Sequence, residues 1–174
     1  HSLFFFCTGY TKLSKSRIAD GLVCEKKAYL SIHSPDQKAE VSRTQQARFD
    51  AGNEVGERAR NLFPNGQLVN RKPWEIEEGK KDTRELVNSG INTIYEATFG
   101  NEQFHCRIDI LHRESSQGIW SVFEVKSGVD PKTEYILDLS IQCWIMNAVG
   151  IKCDRANLVF LNRDCRYLPL SNLF

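Results

Sequence analysis

The sequence lacks both a long apolar segment and any closely spaced cysteine pair. Its longest strongly apolar run, residues 3–7, is far shorter than the roughly 20 residues that a membrane span requires, and it lacks the basic start of a signal peptide. The six cysteines form no CxxC motif, and several lie inside apolar runs, as buried free thiols do. These absences argue against a disulfide framework and favour a reducing, cytoplasmic compartment.

Proline and glycine are not abundant either, with 5 and 11 residues in 174, and there is no internal repeat. The hydrophobic share of 41% and the charged share of 26% are ordinary for one globular domain. The chain begins with His and Ser rather than Met, so we expect a piece of a longer protein. Within it we expect an N-terminal extension or expression remnant over 1–12, a folded domain over 13–167 and a truncated tail over 168–174.

The net charge of +1 conceals an uneven distribution. Residues 1–27 hold five Lys and Arg against two Asp and Glu, and residues 37–72 hold seven against four. Residues 73–108 reverse this, with four against seven, and residues 109–138 have three against six. Such blocks are typical of solvated faces, but basic flanks around an acidic middle also suit a metal-dependent enzyme acting on a polyanion.

Hydrophobic periodicity predicts helices first and strands afterwards. Three- and four-residue spacing predicts helices over about 14–32, 43–63, 74–88 and 134–148. Alternation predicts strands over 91–99, 103–111, 119–125 and 156–161. This order predicts an α/β or α+β fold with a mixed β-sheet core flanked by helices.

Two of the predicted strands place charged residues on one face. Alternation puts Arg107 and Asp109 together in one strand, and Glu124 and Lys126 together in the next. If the strands pair, two carboxylates and an ammonium meet on one surface. Buried carboxylates are costly without a cation, and their hard oxygens suit Mg²⁺ or Mn²⁺. The alternative interpretation is a surface hairpin with a cross-strand ion pair.

The flanking segments resemble a known group of nucleases. Residues 94–99, 106–111 and 123–128 are similar to the core hairpin region of the PD-(D/E)XK nuclease superfamily, in the RecB-like branch that includes CRISPR-associated RecB-like exonucleases. Residues 135–142 resemble the helix that follows, and residues 13–29 resemble the start of these domains. The resemblance covers about residues 13–167, although its motifs are short.

The resemblance implies an α/β fold with a restriction-endonuclease-like mixed β-sheet core flanked by helices, and a set of site residues. Asp109, Glu124 and the carbonyl of Val125 are the expected ligands of Mg²⁺ or Mn²⁺, Lys126 the expected catalytic lysine, and Gln142 a catalytic-site neighbour. Glu96 is either a further metal ligand or an ion-pair partner of the arginine in the next strand.

Two departures from the family pattern affect these expectations. Relatives often place a metal-binding His four residues after a helix glycine, but that step from Gly52 reaches Gly56 here. Glu54 or Glu57 is a substitute third ligand, or else both are solvated. Some relatives hold an iron–sulfur cluster through an early Cys and a C-terminal Cys trio, and no such trio is present, so we expect no cluster.

We therefore expect a Mg²⁺- or Mn²⁺-dependent nuclease that hydrolyses phosphodiester bonds in DNA, or alternatively a catalytically inactive module of the same fold that binds nucleic acid or assembles with proteins. Basic residues near the N-terminus are candidates for phosphate contacts: Lys12, Lys15, Arg17, Lys26 and Lys27. Tyr135, Asp138 and Gln142 share one helix face, which is either solvated or turned to the site.

Overall fold

The computed structural model describes residues 12–37, 39–165 and 173–174. The expected N-terminal extension lies outside the described residues except for Lys12, and so does Cys7. The expected end of the domain at residue 167 and most of the tail, 168–172, also lie outside them.

Six described strands form one mixed β-sheet. The four long strands lie side by side in chain order: β3 (Thr93–Gly100), β4 (Phe104–His112), β5 (Trp120–Lys126) and β6 (Cys153–Phe160). The two-residue strands β1 (Leu13–Ser14) and β2 (Gln67–Leu68) pair in parallel with β4 and β3. β3, β4 and β5 form an antiparallel meander, and β6 joins β5 in parallel after a helical crossover.

Five described helices flank this sheet. They are α1 (Lys15–Val23), α2 (Glu25–His33), α3 (Arg43–Ala59), α4 (Ile76–Asn88) and α5 (Thr133–Ala148). The larger hydrophobic core joins α1, α4 and α5 to one face, for example through Ile18, Leu86 and Leu139. A smaller core lies on the other face, where Ala59 of α3 packs with Tyr95 and Ile110. The predicted mixed α/β fold is confirmed, and it is consistent with a restriction-endonuclease-like core.

The β5 alternation is confirmed. In β4 alternation predicts Phe104, Cys106, Ile108 and Ile110 on one face, and this is wrong for Ile110. Phe123 and Val125 pack in the smaller core, while Val122 packs in the larger one and Glu124 shares its side. In β4, Ile108 faces the larger core but Ile110 faces the smaller one, so the alternation shifts by one residue at Asp109.

Two predicted helices differ from those observed. The helix predicted over 14–32 is two helices, because Cys24 is extended (φ −156°, ψ 107°) and separates α1 from α2. The helix predicted over 43–63 ends as α3 at Ala59, and within α3 only Ala59 is buried while Phe49 is 51% exposed. The amino-terminal part of α3 therefore faces away from the core. Residue spacing alone could not show this, since an apolar stripe has the same periodicity whether a core or a cleft covers it.

No helix in the described part of the chain is long and apolar enough to cross a membrane. The five described cysteines are free thiols, and the Sγ atoms of Cys143 and Cys153 lie 3.9 Å apart.

Candidate active site

The sheet opens between β4 and β5 at the predicted carboxylates. Backbone pairing of these strands begins at Ile110 with Phe123 and continues away from the site. On the same edge of β4, β1 pairs only with residues 104 and 105. Asp109 fills part of the gap between them, because its Oδ2 accepts a hydrogen bond from Val125 N at 2.7 Å. A side chain thus replaces the next backbone bond of the ladder, which explains why the alternation shifts here.

Asp109 is a carboxylate without a strong cationic partner. The hydrogen bond from Val125 N–H is the one bond that the described residues make to its oxygens. Burial and, after it, the nearby charge of Glu124 together raise the pKa of Asp109 to about 7. A cation placed between the two carboxylates would relieve both effects.

Glu124 is the most enclosed charged group of the site, with 3% of its surface exposed. Its Oε1 accepts from Lys126 Nζ and from Lys15 Nζ, both at 2.8 Å, and its Oε2 accepts from Gln142 Nε2 at 2.5 Å. Burial alone would raise the pKa of Glu124, but the two ammonium groups outweigh it and lower that pKa. Glu124 is therefore an ionised carboxylate held in one orientation.

Lys126 lies where the sequence predicts, on the Glu124 side of β5. Its Nζ contacts Glu124 Oε1 and Asp138 Oδ2, both at 2.8 Å, and lies 4.9 Å from the ring centre of Tyr135. Burial disfavours the charge, yet the two carboxylates outweigh it and raise the pKa of Lys126. The side chain remains an ammonium ion, which suits orientation and charge stabilisation rather than proton abstraction.

The polar face of α5 turns toward the site. Tyr135 and Asp138 contact Lys126, and Gln142 is fully buried and donates to Glu124 Oε2 and to Arg107 O. The site-facing interpretation of these residues is supported over the solvated one. Among the described residues nothing hydrogen-bonds to the buried Oε1 of Gln142.

Glu96 lies in β3 between the residues that pair with Ile110 and Ile108 of β4, and its backbone has a left-handed φ of 58°. Its carboxylate lies 3.1 Å from Arg107 Nε and 3.3 Å from Arg60 Nη2. The ion pair with Arg107 is thus present, although Glu96 also lines the cleft at the site. Strained backbone of this kind is often found at functional positions.

An open cleft of about 610 Å³ connects these carboxylates with α3. Its sheet side includes Asp109, Glu124 and Lys126. The α3 side is one helix face, and the residues that recur there at three- and four-residue steps are Arg48, Phe49, Gly52, Asn53, Gly56, Glu57 and Arg60. A Cβ added at Gly52 or Gly56 would meet no atom within 4 Å, so packing does not require either glycine.

Of the two substitute ligands, Glu57 lines the cleft, whereas Glu54 is exposed and pairs with Arg58 at 2.8 Å. The described residues contain no group of three or more His, Cys, Asp and Glu side chains arranged to hold a metal ion. The donors that do meet are the carboxylates of Asp109 and Glu124 beside Val125. Their hard oxygens, with one carboxylate not neutralised, fit Mg²⁺ or Mn²⁺.

The predicted basic residues do not act as one group. Lys15 reaches Glu124, whereas Lys12 pairs with Glu77 at 2.6 Å and Lys27 with Asp20 at 2.6 Å. Sequence reasoning missed Arg48, Phe49 and Arg60 as cleft residues. Their shared helix face is visible in the sequence, but residue spacing does not show whether a core or a cleft covers it.

No protein-family model matches this chain, and no curated protein matches it. The functional interpretation therefore depends on the geometry of the site.

Proposed function

We propose that the protein is a Mg²⁺- or Mn²⁺-dependent nuclease that hydrolyses phosphodiester bonds in DNA, as its resemblance to RecB-like nucleases implies. The observation that carries the proposal is the meeting of Asp109 and Glu124 at the strand split, next to an open cleft. We assign the metal to these two carboxylates and the carbonyl of Val125.

The other side chains have distinct roles in this proposal. Bound Mg²⁺ or Mn²⁺ polarises the scissile phosphate and lowers the pKa of the attacking water. Lys126, kept charged by Glu124 and Asp138, orients that water or stabilises the negative charge of the phosphoryl group. Gln142 fixes the orientation of Glu124 through Oε2.

The cleft supports a nucleic acid as substrate. Arg48 and Arg60 supply cationic side chains along one wall, and such groups bind backbone phosphates. Phe49, half-exposed between them, offers an apolar ring on which a base can stack. Gly52 and Gly56 leave room for a strand to lie close to the helix.

One observation favours the alternative, a binding module without catalytic turnover. Lys15, Lys126, Glu124 and Asp138 form an ion-pair network with equal numbers of positive and negative charges. This network neutralises Glu124 without a metal. Gly56 also occupies the position where the resemblance places a metal-binding histidine.

Cleavage assays separate the two functions. Labelled single- and double-stranded DNA is incubated with the protein in Mn²⁺, Mg²⁺ or EDTA. The proposal predicts products with either metal and none in EDTA, and Asp109→Ala and Glu124→Ala remove them while the far-ultraviolet circular dichroism is unchanged. Metal-independent products, or salt-sensitive DNA binding without cleavage, would contradict the nuclease proposal.

A further inference from the structure

Two lysine ammonium groups contact Glu124, but the proposed function gives a role to only one of them, Lys126. Lys126 and Lys15 both donate to the same oxygen, Oε1, while Gln142 occupies Oε2. A divalent cation that binds Glu124 through Oε1 must displace at least one of these ammonium groups. Which lysine leaves depends on what else holds each of them.

The backbone places Lys15 at this oxygen. β1 pairs in parallel with the start of β4, Leu13 with Phe104 and Ser14 with His105. Ser14 then caps α1 by accepting from Arg17 N, so Lys15 is the first residue of the helix. Its side chain is only 20% exposed and contacts a carboxylate 109 positions away in sequence.

The two lysines differ in their second partner. Lys126 has a full second bond, 2.8 Å to Asp138 Oδ2, whereas Lys15 lies 3.9 Å from the same oxygen. Loss of Glu124 Oε1 therefore leaves Lys126 anchored and Lys15 with a single long contact. Lys15 is therefore the less firmly held of the two ammonium groups.

We propose that Lys15 is a second lysine of the active site, which occupies Glu124 Oε1 in the metal-free protein and contacts a phosphate oxygen of bound nucleic acid once a divalent cation takes that oxygen. This inference rests on the proposed function. Lys15 competes with the metal and then positions the substrate, so its removal affects the two binding steps in opposite directions.

Calorimetric titration with Mn²⁺ alone tests the competition, without any activity readout. Lys15→Gln removes the competing charge, and we expect Mn²⁺ to bind about tenfold more tightly, which corresponds to one partly screened ion pair. Lys15→Arg keeps a cation there and is expected to match the wild type. Lys12→Gln is the matched control, because Lys12 pairs with Glu77 instead and the affinity should not change.

Single-turnover cleavage at saturating Mn²⁺ tests the second step. We expect Lys15→Gln to need about tenfold more enzyme over trace DNA for half-maximal rate, with a smaller change in the rate at saturation. Lys15→Met, which keeps the aliphatic stem, replaces the glutamine variant if that variant does not fold.

The outcomes separate this inference from the proposed function. If the wild type binds no Mn²⁺, the proposed function fails and this inference fails with it. If the wild type binds Mn²⁺ and cleaves DNA, but Lys15→Gln binds Mn²⁺ equally or more weakly, only the role of Lys15 is refuted. If Lys15→Gln binds Mn²⁺ more tightly but reaches half-maximal cleavage rate at the same concentration as the wild type, the phosphate contact is refuted.

Discussion

Removal of the charge of Asp109 should stabilise the metal-free protein. Asp109→Asn keeps an oxygen that can accept from Val125 N–H, but it removes a carboxylate whose pKa burial raises from 3.8 to about 7. Each unit of pKa shift corresponds to about 1.4 kcal/mol, so a shift of roughly three units is worth about 4 kcal/mol at most. Asp109 is only half-buried and faces the cleft, so we expect about 2 kcal/mol after screening by water.

The pH dependence of this effect has a defined sign. Because the folded-state pKa is raised, the cost is absent below the unfolded-state pKa near 4, grows as the pH rises and is complete above about pH 7. The gain from Asp109→Asn should therefore be full at pH 8 and smaller at pH 5.

Urea unfolding in EDTA at the two pH values measures this difference. Asp36→Asn, at an exposed position, controls for the general loss of one negative charge. If Asp109→Asn destabilises the protein at pH 8, or stabilises it equally at both pH values, the electrostatic account of Asp109 is refuted. With added Mn²⁺ the wild type should become more stable than Asp109→Asn, because Mn²⁺ stabilises the wild type by mass action and binds the variant poorly.

Three further changes have expected outcomes. Lys126→Ala should retain Mn²⁺ binding by calorimetry but slow single-turnover cleavage by about 10²–10³-fold, and an unchanged rate would remove Lys126 from the catalytic residues. Gly52→Ala and Gly56→Ala should each stabilise the protein by about 0.5–1 kcal/mol in urea unfolding, since the added methyl group meets open space on α3. Both variants should bind DNA more weakly in anisotropy assays. Equal DNA affinity would show that the DNA strand does not approach α3. Oxidised glutathione should link Cys143 to Cys153, because their thiols lie 3.9 Å apart. The pKa of Cys153 is lowered to about 7, chiefly by its hydrogen bond with Cys143, which favours the reactive thiolate. Peptide mass mapping that finds no such disulfide would contradict this.

The main elements of the fold could be predicted from periodicity, because long runs of alternating or helical spacing each bury one face. The strands β3, β4 and β5 and the helix α5 are found within a few residues of their predicted bounds. The strands β1 and β2 have two residues each, too few to show any alternation. The break at Cys24 has no proline to mark it.

The candidate site was predictable where its residues share a strand and not where they come from distant segments. Alternation alone places Glu124 and Lys126 together, and the structure agrees. The contact of Lys15 with Glu124 depends on the pairing of β1 with β4, which no local pattern shows. Phe49 has the spacing of a core residue, and only the position of α3 reveals that it lines the cleft.

The central claim is that water cleaves a phosphodiester bond at Asp109 and Glu124 with the help of a divalent cation. The most direct measurement is cleavage of a defined DNA oligonucleotide in Mn²⁺ and ¹⁸O-labelled water, with mass analysis of the new terminal phosphates. The account predicts one ¹⁸O atom per new phosphate for the wild type and no product for Glu124→Gln at matched concentration. Intact oligonucleotide with the wild type, or equal products from Glu124→Gln, would contradict it.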